Sequence, residues 1–283
     1  MRVAVTGAAG FIGRHVLNEL ASRGVDTLAV VRTPGSIAEM PANRVVGLDI
    51  TAPQLDTFSL LGSPDTLIHL AWGGLSNFQS RRHFEVEMPR HYGFLRNLVE
   101  SGLPNLFVAG TCLEYGMQSG CLSEDLPAQP YTSYGFAKDA LRRQLEFLGR
   151  DYGYNLTWGR LFYLYGDGQG ATSLYAQLQA AAKRGDQVFG MSDGEQLRDY
   201  LPVAEVARYI VDLALAGKPH GVVNICSGKP VSVRRLVEGW MEEHGWSMTL
   251  KLGRYPYPEY EPLAFWGDST KVAHCLRRAG RES

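Results

Sequence analysis

Tyr134 and Lys138 stand four residues apart in Tyr134-Gly135-Phe136-Ala137-Lys138. On a helix that spacing puts both side chains on one face. A free phenol titrates at about 10, too high for efficient proton transfer at neutral pH, and a nearby ammonium stabilises the phenolate and lowers that value. Such a pair can give or take a proton at a substrate oxygen while a hydride moves at carbon. The alternative is a chance helical Tyr and Lys with no chemistry. A second chemical signal lies in Thr6-Gly7-Ala8-Ala9-Gly10-Phe11-Ile12-Gly13. Gly7 permits a tight turn out of a strand, Gly10 lets backbone approach a pyrophosphate, and Gly13 lets a helix pack closely on a sheet. That helix, opening at Phe11 and Ile12, presents N–H groups and a positive dipole end to phosphates. A purely structural turn is the alternative.

The end of the second strand selects between dinucleotides: an acid there bonds the ribose 2′-hydroxyl of NAD, whereas an Arg accommodates the 2′-phosphate of NADP. The sequence reads Val31-Arg32-Thr33, with no acid, and Arg14 just past the third glycine is a second partner for that phosphate. NADP(H) is therefore the preferred cofactor and NAD(H) the alternative, the other reading being that both arginines are solvated.

Positioning these groups requires strands and crossover helices. Val3–Val5, Thr27–Val31, Arg44–Leu48, Thr66–Leu70, Asn105–Ala109 and Leu156–Leu161 are short apolar runs. Continuous rather than alternating, they fit a parallel sheet buried on both faces. Helical periodicity follows Gly10, covers Arg81 to Ser101, and recurs from Tyr134 to Arg150. The expected fold class is α/β, a doubly wound parallel sheet, with a ligand crevice at the carboxyl ends of the strands. After residue 165 the pattern loosens into short strands (Gln187–Gly190, Val222–Ile225, Met248–Leu252) and helices near Val203–Leu215 and Val233–His244. Residues 1–165 are read as the dinucleotide-binding domain and 166–283 as a smaller mixed α/β substrate lobe, the chain crossing between them.

Composition excludes other classes. Of 283 residues, 45% are hydrophobic and 20% charged, enough apolar surface for a packed core. Lys and Arg number 28 against 29 Asp and Glu, a net charge of −1, without the basic footprint of a nucleic-acid binder. No apolar run approaches the roughly 18 residues of a membrane span, and the chain opens directly into Val3-Ala4-Val5. Cys112, Cys121, Cys226 and Cys275 form no CxxC pair, so neither a zinc site nor a disulfide framework is expected. A cytoplasmic protein without a metal is the expectation.

Taken together, the chain resembles the extended short-chain dehydrogenase/reductase family, the NAD(P)-dependent epimerases, dehydratases and reductases of nucleotide sugars. The resemblance runs nearly end to end: the spacing of Gly7, Gly10 and Gly13, the acid-aliphatic pair Asp49-Ile50, Ile68-His69-Leu70-Ala71, the Tyr134-x-x-x-Lys138 motif, and Gln196-Leu197-Arg198-Asp199-Tyr200. It implies a Rossmann fold. It also implies that Asp49 and Ile50 border the adenine, that Leu70, Ala71, Trp72 and Leu161 line the cofactor, and that Lys138 bonds the nicotinamide ribose.

The family's third catalytic group is a Ser or Thr after the fifth strand. Counting back from Tyr115-Gly116 assigns it to Thr111, whose hydroxyl can polarise the substrate oxygen. Glu114 stands where an apolar residue is usual, and Cys112 is read as a small buried hydrophobe rather than a nucleophile. Family dehydratases carry Asp-Glu after the Thr; here those positions are Cys112-Leu113, which disfavours dehydration. Arg198 is expected to hold the substrate's diphosphate, with a surface ion pair to Asp199 or Glu195 as the alternative. The resemblance implies that Trp72 and Tyr163, the latter where the family commonly has Asn, border the sugar.

The resemblance thus implies an NADPH-dependent reductase of a nucleotide-linked 4-keto-6-deoxy sugar. A nucleotide-sugar 4-epimerase with tightly held NAD and a non-catalytic dinucleotide-binding scaffold are the alternatives. The two helices flanking the fifth strand pair across a two-fold axis in the family, so a homodimer is expected.

Overall fold

The computed structural model describes residues 1–33, 41–50, 52 and 56–278. The chain runs β1 (Arg2–Thr6), α1 (Phe11–Ser22), β2 (Asp26–Val31), β3 (Arg44–Gly47), α2 (Thr57–Leu60), β4 (Thr66–His69), α3 (Met88–Glu100), β5 (Asn105–Thr111), β6 (Gly120–Leu122), α4 (Ser133–Tyr152), β7 (Asn155–Leu161) and β8 (Tyr163–Tyr165). It continues α5 (Leu174–Arg184), β9 (Val188–Gly190), β10 (Leu197–Arg198), β11 (Tyr200–Pro202), α6 (Val203–Leu215), β12 (Gly221–Ile225), β13 (Val231–Ser232), α7 (Val233–His244), β14 (Thr249–Lys251), β15 (Phe265–Gly267) and α8 (Thr270–Arg278).

Seven strands form one sheet in the order β12-β7-β5-β4-β1-β2-β3, with every pairing parallel. The order reverses beside β1, which places the crevice at the carboxyl ends of β1 and β4. β1 and β4 are central and buried at every position but Arg2, which explains their unbroken apolar runs. One face carries Val16, Leu17 and Leu20 of α1 against Val206, Ile210 and Val211 of α6. The other carries Phe94, Leu95 and Leu98 of α3 against Leu141 and Leu145 of α4.

Residues 166–283, expected as a separate lobe, divide between two places. Val222–Ile225 lies in β12 and extends the main sheet beside β7, while α6 packs on α1 and ties to it through Arg23 and Asp212 at 2.7 Å. The remainder builds the smaller lobe from two-stranded pieces and an aromatic core of Tyr175, Phe189 and Trp240. The unit built on the main sheet therefore includes residues beyond 165.

The helix expected over Arg81–Ser101 is interrupted. Residues His83–Glu87 form a π-type stretch before α3 begins at Met88. Pro89 sits in the first turn of α3, where its missing N–H costs nothing. The wider turn carries His83 and Glu87, both buried, toward the crevice.

Candidate active site

The glycine turn is shaped by contacts no side chain would permit. Gly7 has φ +68°, and a Cβ there would lie 2.7 Å from Ala71 N and 2.9 Å from the Leu70 carbonyl carbon. A Cβ on Gly13 would sit 2.2 Å from the Gly7 carbonyl oxygen. The turn thus rests directly on Leu70 and Ala71 past β4, and α1 starts hard against it. Gly10 caps α1 without a side-chain hydrogen bond, which leaves the first turn, with half-buried Phe11 and Ile12, to backbone donors. This cradle fits a dinucleotide phosphate: close backbone approach, a helix N-terminus, and no side chain in the way. Arg14 is exposed and folds its Nε onto Ala9 O at 3.0 Å, while Arg32 is exposed at the end of β2. Asp49 is exposed beyond β3, Ile50 packs on the core, and Leu161 is buried at the end of β7.

Beneath the turn runs a buried polar chain that sequence reasoning did not assemble. Thr6 Oγ1 meets His69 Nδ1 at 2.8 Å, His69 Nε2 meets His91 Nδ1 at 2.8 Å, and His91 Nε2 lies 3.6 Å from Glu87 Oε2. Arg82 Nε donates to Glu87 Oε1 at 2.9 Å. His91 and then Arg82 hold the Glu87 carboxyl down at about 2. Burial drives both histidines below their usual value, and Lys138 adds to that push. An ionised Glu87 and neutral rings orient the chain: Thr6 donates to His69, His69 to His91, and the remaining His91 N–H faces the carboxylate. His69 is fully buried and hydrogen-bonded at both ring nitrogens.

Tyr134 and Lys138 lie in the first two turns of α4, whose N-cap Thr132 accepts from Gly135 N. A Cβ on Gly135 would meet Leu113 O at 2.4 Å, so glycine beside the phenol lets α4 close on the segment after β5. In that segment (Cys112–Tyr115), Thr111 is the N-cap: its Oγ1 accepts from Leu113 N at 3.2 Å, and Glu114 Oε1 accepts from Thr111 N at 2.9 Å. Because Oγ1 is the acceptor there, its own proton stays available to a substrate oxygen. Glu114, the departure from the apolar pattern, is fully buried; it also accepts from Trp158 Nε1 at 2.9 Å and pairs with Arg160 Nε at 2.8 Å. It locks the Thr111 segment to β7. Cys112 is buried and its thiol pushed up by burial, consistent with packing rather than nucleophilic chemistry.

The phenol does not behave as the sequence argument expected. Tyr134 is raised, first by burial and then by the negative charge of Glu114. Lys138, 2% exposed, points its Nζ to Ala109 O at 2.8 Å and over the Trp72 ring at 4.0 Å, with the Tyr134 ring centroid 5.9 Å away. At that separation the ammonium does not offset desolvation of a phenolate. Burial also brings Lys138 itself down to about 7. Phe78, His83 and Trp72 surround the phenol ring at 5.3, 5.2 and 6.0 Å, and Tyr134 N donates to Phe78 O.

Arg198 is not a surface residue, nor does it pair with Asp199 or Glu195. It is 3% exposed, with NH1 on Leu197 O and Leu263 O at 2.9 and 3.0 Å and NH2 on Glu261 Oε2 at 3.0 Å, stacked over Phe265 at 4.4 Å. Tyr163 OH donates to the other Glu261 oxygen at 2.5 Å. Asp199 instead accepts from Ser227 N and Gly228 N, so the adjacent pair splits between two jobs. Glu261 is 63 residues from Arg198, and no spacing signal announced it. Among the described residues no group of three His, Cys, Asp or Glu side chains is placed to hold a metal, and no helix is long and apolar enough to cross a membrane.

Comparison with known proteins agrees with this architecture. A dTDP-6-deoxy-L-talose 4-dehydrogenase (NAD(+)) of Aggregatibacter actinomycetemcomitans is 31% identical over 271 residues, covering 94% of this chain and 99% of that protein. A dTDP-4-dehydro-6-deoxy-D-allose reductase of Streptomyces bikiniensis is 27% identical, covering 83% of this chain and 78% of its own. The solved structure of MoeE5 in complex with UDP-glucuronic acid and NAD superposes with a TM-score of 0.82 at 28% identity, covering 98% of this chain and 93% of that one. The NAD dependent epimerase/dehydratase family profile matches residues 3–226, so the glycine cradle, the parallel sheet and the Tyr-Lys helix are those of a member of that family of nucleotide-sugar-modifying, NAD(P)-dependent enzymes, to which this chain belongs.

Proposed function

We propose that the chain exchanges a hydride at C4 of a nucleotide-linked 6-deoxyhexose, interconverting a 4-hydroxyl and a 4-keto group, and that it runs as a reductase. The carrying observation is the Tyr134 phenol, held beside Lys138 and across from the Thr111 segment, with burial keeping it protonated through the neutral range. A protonated phenol is the form that delivers a proton to a keto oxygen. A bound nicotinamide supplies the hydride. Thr111 polarises the carbonyl, Tyr134 donates the proton, and Lys138 steadies the phenol and the ribose. Gly7, Gly10, Phe11, Ile12 and Gly13 hold the pyrophosphate, and Asp49, Ile50, Leu70, Ala71, Trp72 and Leu161 border the rest of the cofactor. Arg32 and Arg14, both cationic and exposed near the β2 end of the crevice, support NADP(H) over NAD(H). Arg198 takes the substrate diphosphate once Glu261 moves off it, and Tyr163 borders the sugar.

Incubation with NADPH and dTDP-, UDP-, GDP- and CDP-linked 4-keto-6-deoxyhexoses, followed at the nicotinamide absorbance band, tests this. The reading requires oxidation of NADPH with one of them and loss of about two to four decades of kcat in Tyr134→Phe with cofactor affinity unchanged. A 4-epimerase is the second reading, favoured by 27% identity to an uncharacterised UDP-glucose epimerase of Bacillus subtilis. Cofactor retained through purification, with sugar turnover needing no added NADPH, would replace the first reading by the second. A homodimer through α3 and α4, where Phe136 and Phe147 are 50% and 60% exposed, is part of the proposal and is read by sedimentation.

A further inference from the structure

We propose that Trp72 is a positioning residue for Lys138: its indole face seats the buried ammonium, and His91 and His83 fix the indole in that pose. The inference rests on the reading that Lys138 serves the cofactor and the phenol, and adds a role for Trp72 that reading does not assign.

An ammonium carries three protons and has no acceptor of its own. For Lys138 the structure shows one hydrogen bond, to Ala109 O at 2.8 Å. The next cation-stabilising surface is the Trp72 ring, 4.0 Å from Nζ, far nearer than Tyr134 or Trp158, each at 5.9 Å. Indole is the strongest of the aromatic faces for a cation, and the attraction grows when water is excluded, as around this side chain.

The indole is held on two sides. Its ring stacks on His91 at 4.6 Å with planes 21° apart. Its Nε1 donates to His83 Nδ1 at 3.1 Å, which makes that nitrogen the acceptor and leaves His83 Nε2–H to donate to Asn77 O at 2.9 Å. His83 opens the π-type stretch, eight residues before His91 in the chain. The platform must also stay uncharged, since a cationic ring under Trp72 would repel Lys138. His91 is kept neutral by burial, within the chain from Thr6 to Glu87.

The charged and titratable groups facing Lys138 are Glu114 from the segment after β5, His69 from β4, His91 from α3 and Tyr134 from α4. Glu114 favours the ammonium, and burial opposes it. With Lys138 already poised near neutrality, loss of the aromatic face takes it to the uncharged amine under working conditions.

The test uses the full chain with ¹⁵N-labelled lysine, following the Lys138 side-chain signal against pH and assigning it by its disappearance in Lys138→Arg. Trp72→Leu is expected to move the Lys138 titration down by about one pH unit, and Trp72→Phe, which keeps a weaker face, by less. The pH above which NADPH affinity falls moves down by the same interval, on top of whatever pH-independent loss the altered cofactor contact brings. An unmoved titration in Trp72→Leu overturns the inference; so does an affinity loss equal at every pH, which marks simple packing. If Trp72→Leu does not fold, Trp72→Phe decides by the same criterion. Because neither readout uses a sugar, absence of turnover with every keto-sugar sinks the proposed function alone, and a static titration sinks this inference alone.

Discussion

The glycine turn and the Arg198 cluster, both proposed above to hold an anionic ligand, are built in opposite ways. The turn uses backbone: Gly7, Gly10 and Gly13 bring N–H groups to a place no Cβ could occupy, and no side chain caps the helix that starts there. Its readiness does not depend on the ligand being present. The cluster uses a side chain, and a buried guanidinium without a counter-charge is costly. Arg198 accordingly carries an internal carboxylate, Glu261, itself held by Tyr163. A backbone anion site can wait open, whereas a buried cationic one is stable only when something already occupies it.

The largest effect expected from that contrast is on stability. Glu261→Ala leaves Arg198 buried and unpaired, and should cost about 3–5 kcal/mol in urea unfolding. If Arg198 is the diphosphate site, added dTDP should raise Tm more in Glu261→Ala than in the parent chain, because binding then restores the missing partner. An equal rise in both proteins would mean that the diphosphate goes elsewhere. Next comes the turn. Gly13→Ala places a methyl against two carbonyl oxygens that cannot swing away, and should weaken NAD(P)H binding at least tenfold, about 1.4 kcal/mol. Parent-like affinity would show that the turn is not a built site at all.

Cofactor choice is a smaller matter, since Arg32 is exposed. Arg32→Ala should reduce the ratio of kcat/KM for NADPH over NADH by about tenfold, the scale of one or two charge-assisted hydrogen bonds. An unchanged ratio removes the basis for the NADP preference. The smallest effect is on acid stability. The folded Glu87 carboxyl lies at about 2, below the usual value of 4.5, so its contribution is complete above pH 4.5 and is lost as the pH falls toward 2. Glu87→Gln should flatten that part of the stability–pH curve without altering its neutral plateau's slope. A profile of unchanged shape would place Glu87 outside the coupled chain.

The two regions also differ in how far they could be read. Val3–Val5, Thr66–Leu70 and Asn105–Ala109 announced buried parallel strands, because a strand covered on both faces has no polar alternation to show. Tyr134 and Lys138 announced a shared helical face by spacing alone. What escaped was every relation between distant residues: Glu114 with Arg160, His69 with His91, Arg198 with Glu261. Each is a buried polar group satisfied by a partner 22 to 63 residues away. The interruption of the helix before Met88 escaped too, since a π-type turn and an α-turn share the same apolar periodicity at their ends.

By itself the sequence determined the sheet's strands, the glycine turn, and the Tyr-Lys pair, because backbone conformation and periodicity are local and leave local marks. Only the tertiary structure decided the protonation behaviour of that pair, with the phenol raised where an ammonium four residues away suggested lowering. It also decided which carboxylate answers Arg198 and which ring seats Lys138. Desolvation and ion pairing depend on what surrounds a group in space, and a linear chain does not record its surroundings.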